Sequence, residues 1–355
     1  MIETVLGPIA ADQLGPTSMH DHLLADGRAL SAPPREPLPA DRRVTVENLG
    51  FLRWNLLGLE DNLVLDDADV AVAELAHASA AGQSGLVDLT VWGLGPAHER
   101  LPAIARASGL HVMVGFGAYI EKTHPAFLVD LTAAEIEARM DAALTVALPG
   151  VDFRAALLGI VGTGSPIGPS EDRVLRAAGA AAGRAGAAVN VHLHPTGFLG
   201  LTVLERLAAE GTPASRVIFD NVDKHMDLGY LRELAAAGAT LEWCFGNEAY
   251  YRDGLKDPTD AERLAGLQAL LDDGLAGSCV LGHSIWVKTQ LRAFGGMGYD
   301  HLLTRLVPEL RRRGVSDADV QRMLVTNPRR LLDRDERGGS AFGGPVRPHE
   351  SLRGS

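Results

Sequence analysis

Eight short runs of β-branched or apolar residues recur down this chain, and Ala-, Leu-, Glu- and Arg-rich stretches with helical spacing lie between most of them. That alternation admits few folds. Strands separated by single helices pair in parallel, with each helix crossing back over the sheet. The runs are Ser18 to Leu23, Gly85 to Thr90, His111 to Ala118, Ala156 to Val161, Ala188 to His194, Arg216 to Asn221, Ala239 to Phe245 and Ser278 to His283. Helical spacing occupies Ala68 to Ala81, Ala97 to Ser108, Ala133 to Leu148, Ser170 to Arg184, Gly200 to Glu210, Asp227 to Ala237 and Asp260 to Asp272. The count predicts an α/β fold, a closed (β/α)8 TIM barrel, with an open doubly wound sheet as the alternative. A single domain over 1–335 is expected. The Gly-, Pro- and Ser-rich sequence of 336–355 is expected to form a flexible C-terminal tail.

One connection is far longer than the others. Leu24 to Leu65 follows the first run and would lie on the C-terminal face of a barrel, where such loops form lids or substrate walls. Charge narrows the partners. With 45 acidic against 33 basic residues the formal charge is -12, which disfavours a nucleic-acid backbone and leaves a small-molecule substrate as the expected partner. No apolar run approaches the ~18 residues that span a bilayer, and no signal sequence opens the chain, so neither membrane insertion nor export is expected. Two cysteines, Cys244 and Cys279, supply no disulfide framework, and the expected location is the cytoplasm. An apolar helix face could support a homodimer.

Of the 12 histidines, several fall at the carboxyl ends of the runs. His20 and His22 are the sharpest pair. Residues two apart on a strand share a face, so both imidazoles would enter the barrel mouth as a metal clamp. His192 and His194 repeat the spacing. The sixth run closes on Asp220, Asn221, Asp223 and His225, the seventh offers Glu242 and Cys244 on one face, and the eighth ends in His283-Ser284. Each alone reads more readily as a helix cap or a backbone contact, and Cys244 as a small buried hydrophobe. Together they converge on one rim.

The order of several short motifs resembles the phosphotriesterase family of the amidohydrolase superfamily. They include Met19-His20-Asp21-His22-Leu23, Asp61-Asn62-Leu63-Val64-Leu65, Val87-Asp88-Leu89-Thr90, Asn190-Val191-His192, Gly246-Asn247-Glu248, Gly298-Tyr299-Asp300-His301 and Thr326-Asn327-Pro328-Arg329. The resemblance runs from Leu6 to Leu332 and independently implies the (β/α)8 barrel. It also implies two metal ions and a set of six ligands, of which this chain keeps three: His20, His22 and His192. The strand-four bridging carboxylate falls on Ile160, the strand-six histidine on Asn221 and the strand-eight aspartate on Ser284.

Losing the bridging anion matters physically. Two dications about 3.5–4 Å apart repel strongly without it. A mononuclear site is therefore expected, with one divalent transition metal, Zn or alternatively Mn, on His20, His22 and His192. Ser284, a candidate catalytic residue by position, is no base near neutral pH without activation, so the proton-handling role of the missing aspartate is expected to move to Asp220, Asp223, Glu242 or His283, or to disappear. Tyr119, Asn221 and Lys288 are candidate substrate contacts. The expected activity is metal-dependent hydrolysis of an ester, lactone, phosphoester or amide. The alternatives are a lyase, isomerase or cyclase in the same pocket, or a metal-free ligand-binding paralogue.

Overall fold

A computed structural model of the protein describes residues 1–224, 226–247 and 256–334. His225, Glu248 and the expected tail 336–355 lie outside them. Eight parallel strands form one sheet in simple sequence order: β1 (Thr17–Asp21), β2 (Gly85–Asp88), β3 (His111–Phe116), β4 (Leu157–Gly162), β5 (Val189–His192), β6 (Val217–Asp220), β7 (Thr240–Cys244) and β8 (Cys279–Gly282). The two outer strands meet just past their carboxyl ends. There the amides of His283 and Ser284 donate to His20 O, and that of His22 to Ile285 O. The sheet is a (β/α)8 barrel.

Helices α1 (Ala68–Ala80), α2 (Leu101–Ser108), α3 (Ala133–Thr145), α4 (Pro169–Ala185), α5 (Gly200–Ala209), α6 (Leu228–Ala236) and α7 (Asp260–Asp272) follow the first seven strands in turn. Their ends obey local chemistry. Thr132 and Thr259 cap α3 and α7 reciprocally with Glu135 and Glu262, and Gly109 and Gly186 close α2 and α4 in the left-handed region. The eighth helical run, which sequence spacing did not reveal, joins a π-helical turn at Leu302–Leu306 to an α-helix at Val307–Arg312. Its apolar spacing is distorted by the wide turn. Pro308 lies in the first turn of the α segment, where no amide hydrogen is required.

Side-chain alternation divides the hydrophobic residues into two layers. Leu86, Val112, Leu158, Val189, Phe219 and Leu241 pack outward against helices, whereas Met19, Val87, Met113, Leu157, Ile218 and Val280 fill the barrel. In β4 the register slips between Leu158 and Val161, and Ile160 joins the interior layer while both of those residues face outward. The slip brings Ile160 to the mouth.

The long connection after β1 forms a wall there. It is held at its base by an antiparallel pairing of Ala25–Asp26 with Val64–Leu65. Asn62 Oδ1 accepts from Thr289 N, and the Lys288 ammonium reaches Asp61 Oδ1 at 2.7 Å, tying it to the segment after β8. No helix of the described residues is long and apolar enough to cross a membrane.

Candidate active site

A cavity of about 750 Å³, including its open mouth, lies at the carboxyl ends of the strands. His20, His22, His192, Ile160, Asn221 and Ser284 all line it. These are the six positions that the resemblance assigns to metal ligands, so the expected correspondence and the geometry coincide. Leu30 and Leu57 of the long connection close one side, and Leu94, Ile120 and Trp286 add apolar wall.

His20 and His22 face each other. Their Nε2 atoms lie 3.3 Å apart. His20 Nδ1 donates to Glu242 Oε1 at 2.9 Å, because an ionised carboxylate only accepts. His22 Nδ1 is 3.1 Å from Thr90 Oγ1, and Thr90 gives its own hydroxyl proton to Asp88, so here too the imidazole donates. Both imidazoles thus turn Nε2 toward the same spot, where a proton carried by His20 or a bound cation would join them.

Burial and the neighbouring His20 hold His22 well below the ordinary imidazole pKa, so it stays neutral. Burial also opposes charge on His20, but the Glu242 carboxylate and its hydrogen bond, joined by the charges of Asp220 and Asp21, together raise that pKa. Glu242 itself is fully buried beneath His20, accepting also from Asn190 Nδ2 at 2.8 Å and from the Cys244 thiol at 3.4 Å. Expected as a proton handler, it is placed as the orienting partner of an imidazole.

His192 is engaged differently. Its Nδ1 donates to Asp220 Oδ1 at 2.6 Å, and its Nε2 faces the Tyr119 hydroxyl at 3.3 Å. The expected three-histidine clamp is therefore divided, with His20 and His22 in one place and His192 saturated in another. Burial favours the neutral form of Asp220, but the charge of His192 and its hydrogen bond prevail and lower the carboxyl pKa. Asp220 Oδ2 and Asn221 Oδ1 are buried acceptors without a hydrogen-bond partner among the described residues. Asn221 and Ser284, the residues just after β6 and β8, both adopt positive φ, at 48° and 54°, which turns them into the mouth. The Asn221 amide reaches Ser284 Oγ at 3.5 Å.

Three expected candidates lie elsewhere. His283 points out of the barrel, because it follows the inward Gly282 position and precedes the inward Ser284. Its Nδ1 donates to Asp21 Oδ2 at 3.1 Å and its Nε2 accepts from Leu302 N. Lys288 is occupied by Asp61, outside the cavity. Asp223 is likewise committed to a buried ion pair with Arg263, in which the guanidinium nitrogen Nε donates to Oδ2. Sequence reasoning missed Lys122, Lys224 and Trp286 in the lining. Lys224 lay in plain view at the end of the sixth run, and Lys122 three residues past Tyr119.

The sequence model of the phosphotriesterase family matches residues 1–332. The chain belongs to the phosphotriesterase family. It is accordingly a hydrolase, and its relatives in the family span its full barrel. An N-acetyltaurine hydrolase of Tetraodon nigroviridis is 31% identical over 343 residues, covering 93% of this chain and 97% of that protein. A crystal structure of a resiniferatoxin-binding protein from Rhodobacter sphaeroides superposes with a TM-score of 0.90 at 34% identity, covering 94% of each chain. A mutant phosphotriesterase-like lactonase of Deinococcus radiodurans gives a TM-score of 0.74 at 26% identity, covering 94% of this chain and all of that one.

Proposed function

We propose that the protein hydrolyses a small-molecule amide, lactone or ester with the aid of one divalent transition metal ion, zinc or manganese. The observation that carries this reading is the pair of Nε2 atoms 3.3 Å apart. Two nitrogens each about 2.0–2.1 Å from one zinc at tetrahedral angle are separated by about 3.3–3.4 Å. The residues fit such an ion. His20 and His22 would hold it, and the buried carboxylate of Asp220, whose charge acts on both imidazoles, would offset the charge of the ion. An ion bound there lowers the pKa of water and polarises a carbonyl.

A second ion has nothing to share. Ile160 supplies a hydrocarbon where a bridging carboxylate would have to stand, so the site is mononuclear. His192 then holds and releases the proton at Nε2, with Asp220 fixing its tautomer through Nδ1 as an acid partner does in a catalytic dyad. Tyr119 and Asn221 present a hydroxyl and an amide to the substrate, and Ser284 lies beside them at the strand-eight position. The relatives named for N-acetyltaurine and lactone chemistry favour acyl over phosphoryl transfer. With both thiols buried and free, we place the enzyme in a reducing cytoplasm.

The test is metal content per chain by inductively coupled plasma mass spectrometry, in wild type and His20→Ala, alongside a chelator-sensitive screen of N-acyl amides and lactones. One metal ion per wild-type chain, absent from the variant, is expected. A protein that takes up no zinc or manganese and still turns over these substrates overturns the reading.

A further inference from the structure

The 33 basic residues are distributed unevenly by type. Only four are lysine: Lys122, Lys224, Lys256 and Lys288. All four lie in segments that follow a barrel strand, after β3, β6, β7 and β8, and therefore on the mouth side. Arginines serve the opposite end, where Arg216, Arg329, Arg330 and Arg334 donate to backbone carbonyls. The division has a chemical logic. A guanidinium fork suits fixed carbonyl geometry, whereas an ammonium is a compact point charge on a flexible stem.

Two of the lysines are committed outside the cavity, Lys256 to Glu262 and Lys288 to Asp61. The other two, Lys122 and Lys224, line the cavity, and no aspartate or glutamate shares that lining. Lys122 has no ion-pair partner among the described residues. In a chain of net charge -12, this mouth exposes two ammonium groups and no carboxylate, the nearest ones, Glu242 and Asp220, being buried behind His20 and His192. Low-dielectric walls such as Leu57, Leu94 and Trp286 concentrate that field.

We propose that the substrate carries an anionic head group, a carboxylate, sulfonate or phosphate, bound by Lys122 and Lys224, with an apolar body against Leu57, Leu94 and Trp286. This deepens the hydrolase reading of the same pocket and rests on it for the word substrate. The recognition itself is independent of turnover. The two lysines enter from β3 and β6, so the head group is held near the His192 side of the floor and the scissile bond reaches toward His20 and His22.

Isothermal titration at low ionic strength tests it with four probes sharing one alkyl chain: octanoate, octane-1-sulfonate, octyl phosphate and neutral octanamide. At least one anion is expected to bind about tenfold or more tighter than octanamide, and the preferred anion identifies the head group. The double variant Lys122→Met/Lys224→Met is expected to abolish that preference while its thermal unfolding and metal content match wild type. The idea is overturned if octanamide binds as tightly as every anion, or if the double variant keeps the preference. It is equally overturned if chelation abolishes the preference in wild type and the lysine substitutions do not, since the anion would then be on the metal. Failure of the hydrolase reading looks different: no turnover and no metal uptake, with anion preference intact.

Discussion

The floor of the cavity holds two imidazole stations, and they are wired differently. At the first, His20 and His22 each have Nδ1 bonded to a buried oxygen and leave both Nε2 atoms facing one another. At the second, His192 has a carboxylate on one nitrogen and a phenol on the other, and nothing about it is unbalanced. The first arrangement leaves one position between two nitrogens, filled by a proton or by a cation; the second is engaged on both nitrogens. Residue type and the carboxylate on Nδ1 do not distinguish His20 from His192; the group facing Nε2 does, an imidazole for one and a phenol for the other.

Substitutions separate the two stations. His20→Ala should abolish metal retention and lower kcat/KM by about a thousandfold or more, measured by mass spectrometry and steady-state kinetics on the same preparation. Asp220→Asn touches both stations. It should raise the Kd for zinc by about 10–100-fold and lower kcat comparably, because one carboxylate orients His192 and its charge acts on His20 and His22. Zinc affinity left untouched in that variant would confine Asp220 to His192. Tyr119→Phe should be milder, with kcat reduced by less than about tenfold and metal content unchanged, since it removes one neutral hydrogen bond.

The smallest effect provides a reference outside both stations. Glu262 caps α7 and meets Lys256, and the Thr259 amide, then Lys256, lower its carboxyl pKa from 4.5 to about 2. A carboxyl depressed in the folded state stabilises above its unfolded pKa, and that contribution fades as pH falls from 4.5 toward 2. Glu262→Gln should therefore destabilise at neutral pH by less than about 1 kcal/mol, given the exposure of the pair, and leave kcat unchanged. Chemical denaturation at pH 7 and near pH 2 should show the difference between the two proteins vanish in acid.

The sequence was legible where periodicity is local and opaque where it is not. All eight strands and seven helices were marked by their spacing, because the period-two and period-3.6 patterns are written by neighbours. The eighth helix was hidden by a π turn and Pro308. Within the site, His20 and His22 announced themselves by H-x-H spacing. His283 misled through sequence proximity to Ser284, although adjacent strand residues face opposite ways. The division of labour between His20 and His192 depended on contacts with Glu242 and Asp220, residues 222 and 28 positions away, which no local pattern encodes.

The confinement of lysine to one end of the barrel has a practical corollary. Apart from the N-terminal amine beside Asp333, the amines of the chain are the four lysines on the mouth side, so an amine-reactive reagent addresses that end and leaves the helical flanks untouched. Coupled to a solid support through those amines, the molecule would be moored with its cavity against the surface. A soluble anion seated between Lys122 and Lys224 would shield two of the four attachment points, so labelling stoichiometry itself becomes a gauge of occupancy.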